Sequence, residues 1–182
     1  MRKIHKMAAI AALVVTPLAG LAWANPMVGG AAMYATKNIV QNAIKSKDHT
    51  TLVAAVQAAG LVDTLSGPGP FTVFAPTNAA FAKLPAGTIP TLLKPENKGT
   101  LTAVLTYHVV AGRMTSVDIA KAIRAGHGRA KLTTVQGEAL TATMRGKRLV
   151  LTDAKGGKSM VTIPNVMQSN GVIHVVDRVL MP

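Results

Sequence analysis

From Asn38 onward two periodicities follow one another along the chain, and the change between them sets its organisation. In the first part apolar residues recur at helical spacing. Leu52, Val53, Val56 and Ala59 fall on one face of a helix that Thr50 or Thr51 can cap and Gly60 can end. A second helix is predicted over 97–109, where Leu101, Val104, Leu105 and His108 repeat at i, i+3, i+4 and i+7, so a histidine shares the apolar stripe. Ser116 is placed to cap a third, with Ile119, Ala120 and Ile123 inward and Gly126 as its stop. Its Lys121 and Arg124 sit near the C-terminal end, where the helix dipole favours cations. One strand interrupts this helical part: Phe71–Phe74 follows the loop Ser66-Gly-Pro-Gly-Pro70 and stops at Ala75-Pro76. Thr77 then caps a helical turn carrying Ala80 and Phe81 inward.

From Lys131 the period is two. Leu140, Ala142 and Met144 alternate with Thr141 and Thr143, and Arg145-Gly146 turns the chain toward Leu149 and Leu151. A second turn at Asp153–Gly157 leads into Ser159–Ile163. The last strand, Val172–Val176, is apolar on both faces, which predicts a central strand covered from both sides. Helices that lead and strands that follow make an α+β domain. Residues 25–36 are small, glycine-bearing and aperiodic, and are predicted to form a flexible arm before a domain spanning 37–182.

The segment ahead of this pattern has another logic. Arg2, Lys3 and Lys6 precede an almost wholly apolar run from Met7 to Ala22, and Ala22-Trp23-Ala24 puts small residues three and one before Asn25. That succession predicts a secretory signal peptide over 1–24, cut after Ala24. A retained anchor fits less well, because the run is shorter than the ~20 residues that span a bilayer and Pro17 breaks it. The mature product would be secreted or periplasmic, with no transmembrane segment. A chain of that size buries roughly 70% of its unfolded surface, enough for a core without disulfides.

Composition removes whole classes of chemistry. With no cysteine there is no thiol catalysis, no Cys-ligated metal and no disulfide. None of the five serines stands in a G-x-S-x-G elbow, the seven acids are scattered, and no HExxH or i, i+4 histidine pair exists. The sequence therefore assigns no catalytic residue, no metal and no cofactor. His108 and His174 lie among apolar residues and read as buried, hydrogen-bonded histidines, whereas His49 and His127 lie in polar surroundings.

The net charge of +13 is unevenly placed. Residues 113–158 hold ten Lys and Arg against Asp118, Glu138 and Asp153. Such a face is either a solubilising surface or a binder of anionic polysaccharide or lipid head groups, with Arg145, Lys147, Arg148, Lys155 and Lys158 as its candidate contacts. Nucleic acid is not predicted as a partner, since only six aromatic rings exist in the whole chain and few could stack on bases.

Three segments together resemble the fasciclin domain family: Phe71-Thr-Val-Phe-Ala-Pro-Thr-Asn-Ala-Ala-Phe81, the pair Tyr107-His108, and Asn170-Gly-Val-Ile-His-Val-Val-Asp-Arg-Val-Leu-Met-Pro182. The resemblance implies a wedge-like β-sandwich flanked by helices, and an extracellular module of adhesion that binds a cell-surface protein or glycan. It also implies interaction positions at Tyr107 and His108 and at Pro164, Asn165 and Val166. Asn165 stands where some family members carry an acid, and an amide has no charge to offer a divalent cation, so an integrin-type cation contact is not implied here. Asn78 likewise replaces a frequent Asp, and either residue can make the helix-start hydrogen bond.

Overall fold

The computed structural model describes residues 24–182; the signal peptide predicted over 1–24 lies, but for Ala24, outside them. In chain order the strands are β1 (Met27–Val28), β2 (Ala31–Ala32), β3 (Phe71–Pro76), β4 (Val109–Ala111), β5 (Arg129–Thr133), β6 (Ala139–Arg145), β7 (Arg148–Thr152), β8 (Lys158–Gln168) and β9 (Gly171–Val176). The helices are α1 (Ile39–Ala43), α2 (Thr50–Ala59), α3 (Val62–Ser66), α4 (Asn78–Ala82), α5 (Thr88–Leu92), α6 (Lys98–Tyr107) and α7 (Ser116–Ala125). Helices lead and strands follow, as the two periodicities predict.

The large sheet has the order β4-β3-β9-β8-β7-β6-β5. Its two ends meet: Val110 bridges Thr134, and the Val135 N–H donates to the Val109 carbonyl at 2.7 Å, so the sheet nearly closes on itself. Closure of this kind removes exposed edges, the usual liability of a sheet. β9 lies between β3, to which it is parallel, and β8, to which it is antiparallel. All six of its residues are buried, the arrangement its two apolar faces predict.

Alternate side chains of β3 and β9 feed two separate cores. Val73, Ala75, Ile173 and Val175 pack with Leu52, Val56, Leu101 and Leu105 of the leading helices. Phe74 and Val176 point the other way, against Ile119 and Ile123 of α7 and Leu140, Leu149 and Leu151 of the strands. Gly171 is obligatory between them, because a Cβ there would strike the Phe71 backbone of the parallel partner.

Three local predictions need correction. Residues 25–36 are not a free arm: they form the β1–β2 hairpin, whose Val28 is buried, followed at once by the buried Met33. Burial of two large apolar side chains supplies the ordering energy that an aperiodic sequence does not advertise. Next, the N-cap of α7 is Thr115 rather than Ser116, with a reciprocal Thr115–Asp118 capping box. Finally, Asn78 does not cap its own helix, which Thr77 does by accepting the Ala80 N–H. Asn78 instead accepts the Thr51 N–H at 3.0 Å and donates to the Thr50 hydroxyl and the Lys47 carbonyl, capping α2 from a distance.

Candidate functional site

Tyr107 and His108 end α6, and both are buried, with 0% and 2% of their surface exposed. The Tyr107 hydroxyl accepts the Ala154 N–H at 2.9 Å and donates to the Ala139 carbonyl at 3.3 Å. His108 Nε2 accepts the Leu180 N–H at 2.9 Å, so Nδ1 carries the proton and donates to the Val104 carbonyl at 2.8 Å. Burial holds this imidazole neutral and pushes its pKa down to about 4, against the opposing pull of the Val104 carbonyl and Asp153. The pair expected as an interaction site therefore fastens α6 to the 153–157 turn and to the C-terminal segment. It offers no surface to a partner.

The 163–167 segment is divided in the same way. β8 is irregular in its register with β9 on either side of Ile163, and Asn165 has a φ of +59°, a conformation Asn tolerates better than most residues. The irregularity turns the Asn165 side chain toward α7. Its Oδ1 accepts the Ser116 N–H and its Nδ2 donates to the Ser116 hydroxyl, each at 2.7 Å. Asn165 N–H donates to His174 Nδ1 at 3.2 Å, which leaves His174 Nε2 protonated and donating to the Met114 carbonyl at 2.9 Å. Burial lowers the His174 pKa, only partly opposed by Met114, and the neutral ring stacks on Phe74 with centroids 5.6 Å apart. Asn165 and His174 are thus a structural clasp, Val166 is buried, and Pro164 alone of the three expected positions is exposed.

Pro164 edges a groove of about 510 Å³ between α7 and strands β6–β8, with Val117, Arg124, Met144, Lys147 and Leu149 also lining it. Met144, predicted inward from its alternation with Leu140 and Ala142, is 40% exposed because β6 runs past the cover of α7 into this groove.

The five candidate cations are all exposed, but they do not form one cluster. Arg145, Lys147 and Arg148 surround the β6–β7 turn, with Arg145 directly opposite Arg148. Lys155 and Lys158 lie at the β7–β8 turn, at the other end of β7, where Lys158 pairs with Thr152. Consecutive hairpins sit at opposite ends of their shared strand, so roughly 13 Å of strand separates the groups, beyond the ~8–10 Å over which exposed charges interact in physiological salt.

The polar groups that the sequence did not single out are the more informative ones. Asn170 is buried; it accepts the Ile39 N–H to hold α1 and donates to the Leu65 and Gly67 carbonyls. Asn42 donates to the Tyr34 carbonyl and to Gln168 Oε1. Asp153 accepts the Lys155, Gly157 and Met181 N–H groups, tying a turn to the chain end. His49, expected in polar surroundings, is 3% exposed. Its Nδ1 shares a 2.9 Å hydrogen bond with the Ser46 hydroxyl, and the Ala75 backbone carbonyl is the other polar group that acts on the ring. Burial lowers its pKa, with the Ala75 carbonyl and Asp48 opposing. His49 borders an apolar cavity of about 90 Å³ between α1, α2, α3 and the β3–β9 pair. Among the described residues no group of three or more His, Asp or Glu could hold a metal ion, and no helix is long and apolar enough to cross a membrane.

The nearly closed sheet, with its two sequence blocks laid side by side as the parallel strands β3 and β9, defines an α+β domain of the fasciclin type. The chain belongs to the fasciclin domain family, whose model matches residues 47–182. It is 45% identical over 156 residues to Protein sll1483 of Synechocystis sp., covering 86% of this chain and 79% of that one. It is 36% identical over 196 residues to the immunogenic protein MPB70 of Mycobacterium bovis, covering 97% and 91%. In fold it is similar to the FAS1 domain pair of the insect cell adhesion molecule Fasciclin I, with a TM-score of 0.71 at 19% identity over 80% of this chain and 51% of the other.

Proposed function

We propose that this chain is an exported, non-catalytic module that acts at the cell surface by non-covalent adhesion to a surface protein or glycan. Membership of the fasciclin domain family is the observation that carries the reading. The likeness of its fold to that of a cell adhesion molecule supports it further. Tyr107, His108, Asn165 and Val166 are occupied in holding the fold together, so the contact surface proposed is the rim of the groove, where Pro164 and Val117 are exposed. Exported protein recovered from its host should begin at Asn25, and the purified domain should be captured by intact cell envelope. Val117→Glu with Pro164→Glu should abolish that capture while the melting temperature holds, since both positions are exposed. Capture by the double variant equal to that of the parent would refute the surface.

A second reading has its own support. Arg145, Lys147 and Arg148 have no carboxylate partner among the described residues, and two cations directly opposed on neighbouring strands repel one another. An anionic polysaccharide or lipid head group at the β6–β7 tip would relieve that repulsion. Replacing all three by Ser should then lower retention on a heparin column at moderate salt, whereas Lys155→Ser with Lys158→Ser should change retention independently.

A further inference from the structure

The groove between α7 and strands β6–β8 is charged at one end only. The Ser116 N–H bonds Asn165, which sets the start of α7 beside Pro164 and Thr162. Arg129, just past the end of α7, pairs with Thr143, which carries that end of the helix to the part of β6 that turns at Arg145–Arg148. Arg124 and Lys147 therefore line the same end of the groove, and neither has a carboxylate partner among the described residues. Arg148 borders it too, but its guanidinium is turned to Met160 Sδ at 3.3 Å. Away from these cations the wall is Ala120, Met144, Leu149 and Val161, and no Asp or Glu lines any part of it. The apolar stretch is open to an occupant, since Val117 and Met144 are 55% and 40% exposed.

Each feature narrows what can lie there. A polyanion carries charge along its whole length, whereas the cations here stand at one end. Nucleic-acid bases stack on aromatic rings, and none lines the groove. A peptide strand would set backbone N–H and C=O groups against apolar side chains without partners, because the groove lies over a face of the sheet and not along an edge. An aliphatic chain brings no such groups. At the charged end a guanidinium and an ammonium suit a carboxylate, which the guanidinium can hold at two points. The volume of about 510 Å³ falls within the ~300–1,000 Å³ of small-molecule clefts. Along α7 from Ser116 to Arg124 the distance is about 12 Å, the length of an extended chain of about ten carbons at roughly 1.3 Å of advance per C–C bond.

We propose that this groove binds a medium-chain fatty acid, its carboxylate on Arg124 and Lys147 and its chain lying over Met144, Leu149 and Val161 toward Pro164. The assignment rests on the second reading above, in that Lys147 serves both and unpaired cations hold an anion in each, and it gives that anion an aliphatic tail.

The test titrates the purified protein with fatty acids from hexanoate to dodecanoate at pH 8, with 1-octanol, octyltrimethylammonium and acetate as controls. Octanoate should shift the NMR amide signals of Val117, Ala120 and Met144. Affinity should grow about fourfold per methylene and level off near ten carbons, where the chain leaves the groove. Octanoate should bind at least tenfold more tightly than 1-octanol, and octyltrimethylammonium and acetate should not bind. Arg124→Ser should lower octanoate affinity about tenfold and leave 1-octanol unchanged, while Lys121→Ser, an exposed cation of α7 outside the groove, should change neither. Met144→Ser should weaken octanoate and leave heparin retention as it was. Equal binding of octanoate and 1-octanol, affinity independent of chain length, or shifts confined to the β6–β7 turn or to the helix-side cavity would each overturn the assignment. Heparin retention that depends on Arg145, Lys147 and Arg148 without octanoate binding would overturn it while keeping the second reading. Octanoate binding lost in Arg124→Ser, with heparin retention unchanged in the triple Ser variant, would support it and remove that reading.

Discussion

The two faces of the β3–β9 pair bury similar side chains to different standards. On the α7 face the polar groups within the packing are paired: His174 bonds Asn165 and Met114, Tyr107 bonds Ala154 and Ala139, and Phe74 stacks on His174 with none of its surface exposed. On the helix face the short α1 and α3, five residues each, cannot tile the sheet as evenly, and they leave a cavity of about 90 Å³. Close packing and full pairing usually go together, because a void deprives polar atoms of partners as well as apolar ones of contacts. The difference separates a tightly packed face from one packed more loosely.

The comparison can be broken most forcefully at Phe74. Truncation to Ala on the tight face should destabilise the domain by about 3–5 kcal/mol in urea unfolding; a loss under about 2 would mean that this face can collapse around a void. His174→Ala follows, at about 2–4 kcal/mol, because it removes two hydrogen bonds as well as volume. An unchanged melting temperature with a loss of envelope binding would instead give that histidine a functional role.

Acid supplies the next test. His108 titrates near 4 in the folded state and at 6.5 when unfolded, so between those values the unfolded chain binds more protons and stability falls with falling pH. The contribution is intact above about pH 6.5, and roughly 3 kcal/mol should be lost by pH 4. His174 and His49, also lowered, act in the same direction. Urea midpoints at several pH values should show this slope, and His108→Gln should flatten it. A smaller effect distinguishes the faces directly: Val172→Ile on the tight side should cost about 1–3 kcal/mol, while Val56→Ile, beside the cavity, should be neutral or stabilising by under ~1 kcal/mol. Least of all, Lys155→Ser with Lys158→Ser should stay within about ±0.5 kcal/mol in the same measurement.

Much of this architecture is legible in the sequence, since period, caps and turns are local properties. The α2 stripe ends at Gly60 in a left-handed conformation, and the doubly apolar β9 takes a central place, because each needs only its neighbours along the chain to be recognised. Burial of His174 followed from the same pattern. The roles of Tyr107 and Asn165 did not, because their partners are 47 and 49 residues away and only the folded sheet brings Ala154 and Ser116 to them. The burial of His49 is hidden in the sequence for a related reason. Lys47 and Asp48 make its segment look polar, yet a single short helical turn rotates them outward and the imidazole inward. The cavity has no local signature at all, being an absence shared by residues from 28 to 173.

The place of β9 bears on when the domain can fold. β3 is made about a hundred residues before the strand it pairs with, and until Gly171–Val176 emerges from the ribosome β3 lacks its parallel neighbour and β8 its antiparallel one. The Leu180 N–H that pairs with His108 and the Met181 N–H that pairs with Asp153 arrive later still. Contacts this distant in sequence close slowly, and here they also close last. A nascent chain built this way cannot complete its large sheet until synthesis is nearly finished, so the domain closes only once the whole sequence is available.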